Sequence, residues 1–305
     1  MESRAFKESR AFMQRIFVER KAKILHMLHW NIADITEHLP VIAKQGFTHI
    51  QITPVNGIKT GDEWWTVYQP TNFSIGNKYG SKEQLQELCS KAREYNIGII
   101  VDIVLRHVAG AEDGSLNPSK EVDSSLIPLL AKQQIPCKDY NNRYECTHHC
   151  SGMPMFDYEA VEYRNTVKRF LDELLECGVE MFRLDQAKHY TLPSEGGQFL
   201  QWLSDNYPLY GECIFCNQHI LDQYAELMLV LTEGRPARVD RLIAKSDSHD
   251  DYLEFGWSKR MNDDMRCNEW DVLVNNNHFN SIYYCRPFEE LWKSDRIRNI
   301  NCKWQ

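Results

Sequence analysis

The chain has 305 residues, of which 43% are hydrophobic and 11% aromatic, a composition that argues against intrinsic disorder and allows a large core. Its net charge is −8 with acidic and basic residues interspersed, so it lacks the basic footprint of a nucleic-acid-binding protein. No apolar run approaches the length of a membrane span. We therefore expect a globular protein with neither nucleic acid nor membrane as a partner, and of undetermined oligomeric state.

The N-terminal arm, residues 1–23, carries seven basic and three acidic residues and repeats residues 2–6 at 8–12. It has no uninterrupted apolar core of the kind that a secretory signal needs. A surface helix or flexible arm and a docking or targeting arm are both compatible with it. Ten cysteines without a signal predict reduced thiols and a cytoplasmic location.

Strand and helix patterns alternate along the rest of the chain. Strand candidates at 24–30 and 49–53 flank a helical stretch at 35–44. Ser81 and Gln84 form a capping-box pattern, because each side chain can satisfy a free backbone N–H of the other. The apolar residues behind it keep helical spacing, and a strand follows at 99–105.

The same unit recurs in the second half of the chain. Val167, Phe170, Leu171 and Leu174 form a helical stripe, and Gly178 ends it before a strand at 179–184. Shorter strand candidates follow at 208–211, 227–231, 241–244 and 281–285. About eight strands with helices between them favour a (β/α)8 TIM barrel, with a shortened sixth unit where only about ten residues separate two strands.

Residues 108–156 show no such rhythm and are rich in Ser, Asn, Asp, Pro and Cys. A stretch this long predicts a small irregular subdomain inserted after strand 3, between barrel segments 24–107 and 157–305. Its residues Cys137, Cys146, His148 and Cys150 are a weak zinc candidate, with free thiols or a disulfide as alternatives. Cys213 and Cys216 form a C-x-x-C pair, for which a redox role is the less favoured interpretation.

Charged residues end several of the predicted strands. Because strand side chains alternate, Arg183 and Asp185 face one way while Phe182 and Leu184 face the other. Active sites of barrels lie at the carboxyl ends of the strands, although a structural Arg–Asp ion pair would give the same pattern. Further carboxylates and histidines end or follow other strands: Asp102, His107, Glu212, His249 and Asp250.

These segments resemble, in order, the four signature regions of the α-amylase family, glycoside hydrolase family 13. The residues that carry the likeness are Asp102 to His107, Phe182 to His189, Gly211-Glu212 and Ser248 to Asp250, with Trp64 to Pro70, Gly152 to Pro154, Met261 to Arg266 and Tyr283 to Pro287 as further matching segments. The resemblance covers roughly residues 24–288.

The resemblance implies a retaining mechanism on α-1,4-glucans of the starch and glycogen type. Position by position, it assigns Asp185 as nucleophile, Glu212 as acid/base and Asp250 as the carboxylate that distorts the reactive sugar. It implies that the substrate contacts Trp65, Tyr68, Gln69, Asp102, His107, Arg183, Lys188, His189 and His249. Arg183 is expected to keep Asp185 ionised, and core packing is the alternative for Trp65.

The chain departs from the family pattern at a structural calcium. Relatives supply an asparagine immediately before the motif histidine and an aspartate after the proline of a later segment; Arg106 and Met155 stand there instead. A guanidinium cannot ligate a cation, so we expect no calcium and no other cofactor. The family's C-terminal β-sandwich is also expected to be missing.

The leading functional hypothesis is an endo-acting α-glucan hydrolase acting on α-glucans or maltooligosaccharides. An α-glucan transglycosylase shares the same motif residues and cannot be separated from it by sequence. A catalytically weak glucan-binding or structural protein that retains the barrel is the third hypothesis, which the deletions favour and the three carboxylates oppose.

Overall fold

A computed structural model describes residues 22–44, 47–213 and 216–231, together with three further strands. The helices and strands, in chain order, are β1 Ala22–Leu28, α1 Ile32–Lys44, β2 His49–Ile52, β3 Asn56–Ile58, β4 Pro70–Asn77, β5 Gly80–Ser81, α2 Lys82–Glu94, β6 Gly98–Ile103, α3 Arg143–His148, α4 Val161–Cys177, β7 Met181–Leu184, α5 Phe199–Asn206, β8 Leu209–Glu212, α6 Gln218–Leu227, β9 Leu229–Leu231, β10 Tyr252–Ser258, β11 Trp270–Val274 and β12 His278–Tyr283.

Among the described residues, the main sheet contains seven parallel strands: β10 pairs with β1, and the other six form the series β1-β2-β6-β7-β8-β9. A helix lies between successive strands of this series, which is the repeating β–α unit that the alternating sequence pattern predicted. In such units the carboxyl ends of all strands meet at one edge of the sheet. Polar residues that end these strands are therefore brought together, although they are far apart in sequence.

The sheet is strongly curved, as a hydrogen bond across its concave side shows. The hydroxyl of Tyr210 on β8 donates to Oε1 of Gln51 on β2. Two strands, β6 and β7, lie between them in the sheet. In a flat sheet three strand spacings would separate β2 from β8 by roughly 14 Å. The curvature is thus that of a barrel wall, with Gln51 and Tyr210 facing each other inside it.

The apolar stripes of the helices cover the convex side of the sheet. On α2 the buried residues are Leu85, Leu88, Cys89 and Ala92, and they share one core cluster with the strand residues Ile99 and Val101. The predicted capping box is confirmed, since Ser81 Oγ accepts from Gln84 N and Gln84 Oε1 accepts from Ser81 N. The predicted stop of α4 is confirmed as well: Gly178 has a φ of +100° in the left-handed region.

The segment 108–156 is joined by backbone hydrogen bonds to β4, which belongs to a separate three-stranded sheet of the order β3-β4-β5. Ala109 N donates to the Pro70 carbonyl (2.9 Å) and Asp123 N to the Thr71 carbonyl (2.8 Å). Within the segment, the short helix α3 and a 3-10 helix at Ile127–Leu129 lie among turns and isolated bridges.

The structure corrects one strand prediction. A strand was predicted at 281–285, but none was predicted at Tyr252–Ser258, which is the strand that pairs in parallel with β1. His278–Tyr283 pairs with β11 instead, in the antiparallel direction. An apolar run indicates that a strand forms, whereas non-local contacts select its partner. The strand candidate 241–244, and with it the shortened sixth unit, lies outside the described residues.

Among the residues that the structure describes, no helix is long and apolar enough to cross a bilayer.

Replacement of Ser81 tests how much the cap contributes to stability. Ser81→Ala removes the acceptor for Gln84 N and should lower the free energy of unfolding by about 1 kcal/mol. Ser81→Asn keeps a capping acceptor and should stay within a few tenths of a kcal/mol of the parent. Chemical denaturation followed by circular dichroism measures both; equal losses in the two variants would contradict the capping role.

Candidate active site

Four charged side chains from three adjacent strands converge inside the curved sheet. Asp102 lies on β6, Arg183 on β7, Asp185 directly after β7 and Glu212 at the end of β8. The parallel register places Asp102 opposite Arg183, so their side chains lie on the same face. Sequence analysis predicted that Arg183 and Asp185 point to the same side of the strand, and the hydrogen bond between their side chains confirms this.

Arg183 is the centre of this cluster. Its Nη1 lies 2.9 Å and 3.1 Å from the two carboxylate oxygens of Asp102 and 2.9 Å from Oδ1 of Asp185. Its Nη2 lies 2.8 Å from Oε1 of Glu212. The guanidinium therefore binds three carboxylates at once, and its planar fork holds Asp185 and Glu212 side by side.

Burial decreases from one carboxylate to the next. The side chain of Asp102 is fully buried, that of Asp185 is 9% exposed and that of Glu212 is 20% exposed. Burial raises the pKa of Asp185 well above its ordinary value, the charge of Glu212 raises it further, and Arg183 lowers it. Burial also raises the pKa of Asp102, against the opposing effect of Arg183. Arg183 lowers the pKa of Asp185 as expected, but three carboxylates share one guanidinium and desolvation outweighs the pairing, so the net direction is upward.

The loop after β7 orients Glu212 through a left-handed residue. Gln186 has a φ of +51°, an uncommon conformation for a residue with a side chain. This turn directs the Gln186 N–H at Oε2 of Glu212, at 3.0 Å. The side chain of Gln186 is held in turn by Ser151 of the segment 108–156, whose hydroxyl donates to Oε1 at 3.0 Å. Backbone strain at this position thus serves to fix a carboxylate.

Two buried histidines, His107 and His189, lie near the cluster and stay neutral. His107 Nε2 donates to the Tyr68 carbonyl at 2.9 Å, and His189 Nδ1 donates to the Cys146 carbonyl at 2.9 Å. Burial, together with the charge of Arg106, lowers the pKa of His107 to about 4 and that of His189 to about 3. Each ring therefore keeps one nitrogen as a hydrogen-bond acceptor at neutral pH.

The aromatic segment before β4 is placed beside the cluster. The Tyr68 ring centroid lies 5.9 Å from Cζ of Arg183, and burial raises the pKa of the Tyr68 hydroxyl. Trp65 is 40% exposed, so core packing does not account for it. The Oε1 of Gln69 accepts from Gly110 N at 3.2 Å and thereby supports the segment 108–156, and its substrate contact stays a prediction. Lys188 is half-buried in the loop after β7.

Three residues of the concave face were missed by sequence analysis. His26 on β1 lowers the pKa of Asp102 through its charge, and Gln51 and Tyr210 form the bond across the sheet. All three are buried. A polar residue inside an otherwise apolar strand was the signal that could have identified His26 and Gln51, because a buried polar group must face a polar interior.

His249 and Asp250 lie outside the described residues, so their predicted place in the site stays a prediction. The zinc alternative is not supported by the geometry. Cys146 Sγ lies 3.5 Å from His189 Nδ1, Cys150 Sγ donates to Gln134 Oε1 at 2.9 Å, and His148 Nδ1 bonds within α3. Among the described residues, no three His, Cys, Asp or Glu side chains are arranged to hold a metal ion, and the cysteines there form no disulfide.

Comparison with known proteins places this geometry in a family. A curated alpha-amylase from Clostridium acetobutylicum is 37% identical over 174 residues, which cover 54% of this chain and 22% of the relative. An alpha-amylase-related protein from Drosophila auraria is 32% identical over 199 residues, 60% of this chain and 39% of the relative. The chain thus spans well under half the length of these relatives.

Solved structures show the same fold. A mutant of alpha-amylase I from Eisenia fetida in complex with maltohexaose has a TM-score of 0.57 and 24% identity, covering 68% of this chain and 48% of that one. An alpha-amylase from Malbranchea cinnamomea has a TM-score of 0.58 and 16% identity, covering 70% and 52%. The family fold is a (β/α)8 barrel, to which the curved parallel sheet corresponds. The family model described as the catalytic domain of alpha amylase matches residues 29–285, and the chain therefore belongs to the α-amylase family.

Proposed function

We propose that the chain is a retaining hydrolase of α-1,4-glucans, with Asp185 as nucleophile and Glu212 as acid/base. The observation that carries the proposal is the shared guanidinium: Arg183 binds Asp185 through Nη1 and Glu212 through Nη2. Retaining glycosidases need two carboxyl groups about 5–5.5 Å apart, and two groups bound to one guanidinium fork are compatible with that spacing. The family membership of the chain supports the same reaction class.

The two carboxyl groups differ in a way that suits two different roles. Among the described residues, the hydrogen bond to Asp185 goes to Oδ1, so Oδ2 is left to attack the anomeric carbon. Glu212 is the more exposed of the two, where a departing sugar and then a water molecule can reach it. Its oxygens accept from Arg183 and Gln186, and each retains a second lone pair for a proton or a glycosidic oxygen.

The reaction then proceeds in two displacements. Glu212 gives its proton to the glycosidic oxygen while Asp185 attacks the anomeric carbon, so that the bond to the leaving glucan breaks and a glycosyl ester forms on Asp185. Glu212, now ionised, takes a proton from water, and the water oxygen displaces Asp185 from the anomeric carbon. Asp250 is proposed, from the family motif alone, to distort the reactive sugar.

The substrate contacts follow from the position of the neutral and aromatic side chains. The rings of His107 and His189 are uncharged, which suits sugar hydroxyls better than a charged group would, and the free nitrogen of His107, Nδ1, is buried. Tyr68 beside Arg183 and the exposed Trp65 offer flat faces for the C–H faces of pyranose rings. We assign Lys188 and His249 to the same binding cleft, whereas the fully buried Asp102 supports the cleft through Arg183. The cytoplasmic location stays a prediction.

Substitution of the two carboxylates tests the proposal. Glu212→Gln cannot give or take a proton and should lower kcat on soluble starch by about 10²–10⁴-fold, and Asp185→Asn should lower it at least as far. The release of reducing ends measures both. Glu87→Gln, the same change on the surface of α2, is the matched control and should leave activity unchanged.

The products decide between this proposal and its alternatives. Hydrolysis of a maltooligosaccharide gives only shorter chains, whereas products longer than the substrate would show that a sugar, rather than water, resolves the intermediate. A wild-type chain that binds glucan and releases no reducing ends would identify a glucan-binding protein instead.

The acid limb of the pH profile should respond to Asp102. Because Asp185 must be ionised to attack, activity falls as the pH drops through its raised pKa. The charge of Asp102 contributes to raising that pKa, so Asp102→Asn should lower it and move the acid limb of kcat/KM to lower pH by about 1 unit. Profiles normalised to their maxima measure the shift. Asp113→Asn, at an exposed carboxylate of the segment 108–156, should leave the limb in place, and a limb that moves to higher pH in Asp102→Asn would contradict this assignment.

A further inference from the structure

A second buried arginine lies just outside the active site and binds carbonyl oxygens instead of carboxylates. Arg106, three residues after β6, is 2% exposed. Its Nε donates to the His189 carbonyl at 3.1 Å, and its Nη2 donates to the carbonyls of Thr147 (2.6 Å) and His149 (3.3 Å). Its Cζ lies 4.8 Å from the ring centroid of Tyr158. Within the part of the chain that the structure describes, no carboxylate pairs with it.

A buried charge without a counter-ion is costly, so a fold retains one only where other groups stabilise it. Here the stabilising groups are carbonyl dipoles and an aromatic face, the surroundings that a bound cation prefers. Arg106 thus occupies the centre of a cation site that is formed by the protein backbone.

The bonds of Arg106 join three parts of the molecule. Thr147 and His149 belong to the end of α3 and the residue after it in the segment 108–156, and His189 belongs to the loop after β7. The carbonyl of Arg106 itself accepts from Phe156 N at 3.1 Å, at the far end of the segment. The single residue Arg106 therefore connects the segment 108–156 to the end of the barrel strand β6 and to the loop that carries His189.

The groups around Arg106 do not offer the oxygen ligands needed by the calcium ion that the family pattern implies. Calcium takes six to eight oxygen ligands at 2.3–2.6 Å. The two side chains expected to supply oxygens are Arg106 and Met155, and neither has one. The carbonyls that could still act as ligands already accept hydrogen bonds from the guanidinium.

We propose that Arg106 is a built-in structural cation, which replaces a metal ion at the junction of the segment 108–156 and the barrel. A metal is acquired from solution and can be removed by a chelator, whereas a side-chain cation is permanently present. The junction, and with it the position of the loop after β7, is therefore independent of calcium.

Thermal unfolding of the full chain tests the proposal. The wild type should show the same Tm in CaCl2 and in EGTA. Arg106→Met, which keeps the length of the side chain and removes its charge and donors, should lower Tm by roughly 5–10 °C and speed tryptic cleavage within 108–156. Arg93→Met is the matched control, because Arg93 is exposed and donates to the carbonyl of Gly178. The Tm of this variant should stay within about 2 °C of that of the wild type.

Arg106→Lys keeps the test decisive if the methionine variant does not fold. Lysine retains a charge but has fewer directed donors, so its Tm and cleavage rate should lie between those of wild type and Arg106→Met. A Tm that falls in EGTA, an Arg106→Met variant that melts and is cleaved like wild type, or a lysine variant no more stable than the methionine variant would overturn the proposal. These readouts do not depend on glucan hydrolysis, so they remain valid if the proposed reaction is wrong.

Discussion

The guanidinium of Arg183 is the interaction on which the rest of the site depends. Three carboxylates brought together inside a curved sheet would repel one another, and burial would drive protons onto them. Arg183 lets them lie together, since Nη1 binds Asp102 and Asp185 and Nη2 binds Glu212. Asp102 is fully buried, and both of its carboxylate oxygens bond to Nη1 of Arg183. Asp102 thereby orients the guanidinium that holds the two more exposed carboxylates, Asp185 and Glu212.

The loop after β7 is held at both of its ends by cations. At its start, Arg183 binds Asp185, while the adjacent Gln186 N–H binds Glu212. At its end, Arg106 binds the carbonyl of His189, and Arg143 on α3 binds the carbonyls of Lys188 and Tyr190 at 2.6 Å and 2.9 Å. Six consecutive residues are thereby fixed between the barrel and the segment 108–156. Such preorganisation is what an electrostatic site requires, because its groups need not rearrange during the reaction.

The segment 108–156 is consequently part of the site's support. It supplies Ser151 to Gln186, Gly110 to Gln69 and the Cys146 carbonyl to His189. Each of these bonds orients a residue that faces the cleft or borders it, and Gln69, expected to bind substrate, is engaged in this way. The cysteines and histidines of the segment are bonded to neighbours in different directions, which explains why their proximity in sequence did not produce a metal site.

The sequence by itself determined most elements of the parallel series and which charged residues end its strands. Periodicity, the Ser81 cap and the Gly178 stop depend on neighbours within one or two turns, and they placed α1, α2, α4 and the parallel strands β1, β2, β6, β7, β8 and β9 correctly. The motifs identified Arg183, Asp185 and Glu212. Only the tertiary structure decided which strand lies beside β1, that Gln51 faces Tyr210, and that burial outweighs Arg183 at the Asp185 carboxylate. Strand partners, contacts across the sheet and desolvation all depend on residues distant in the chain, which a local pattern does not contain.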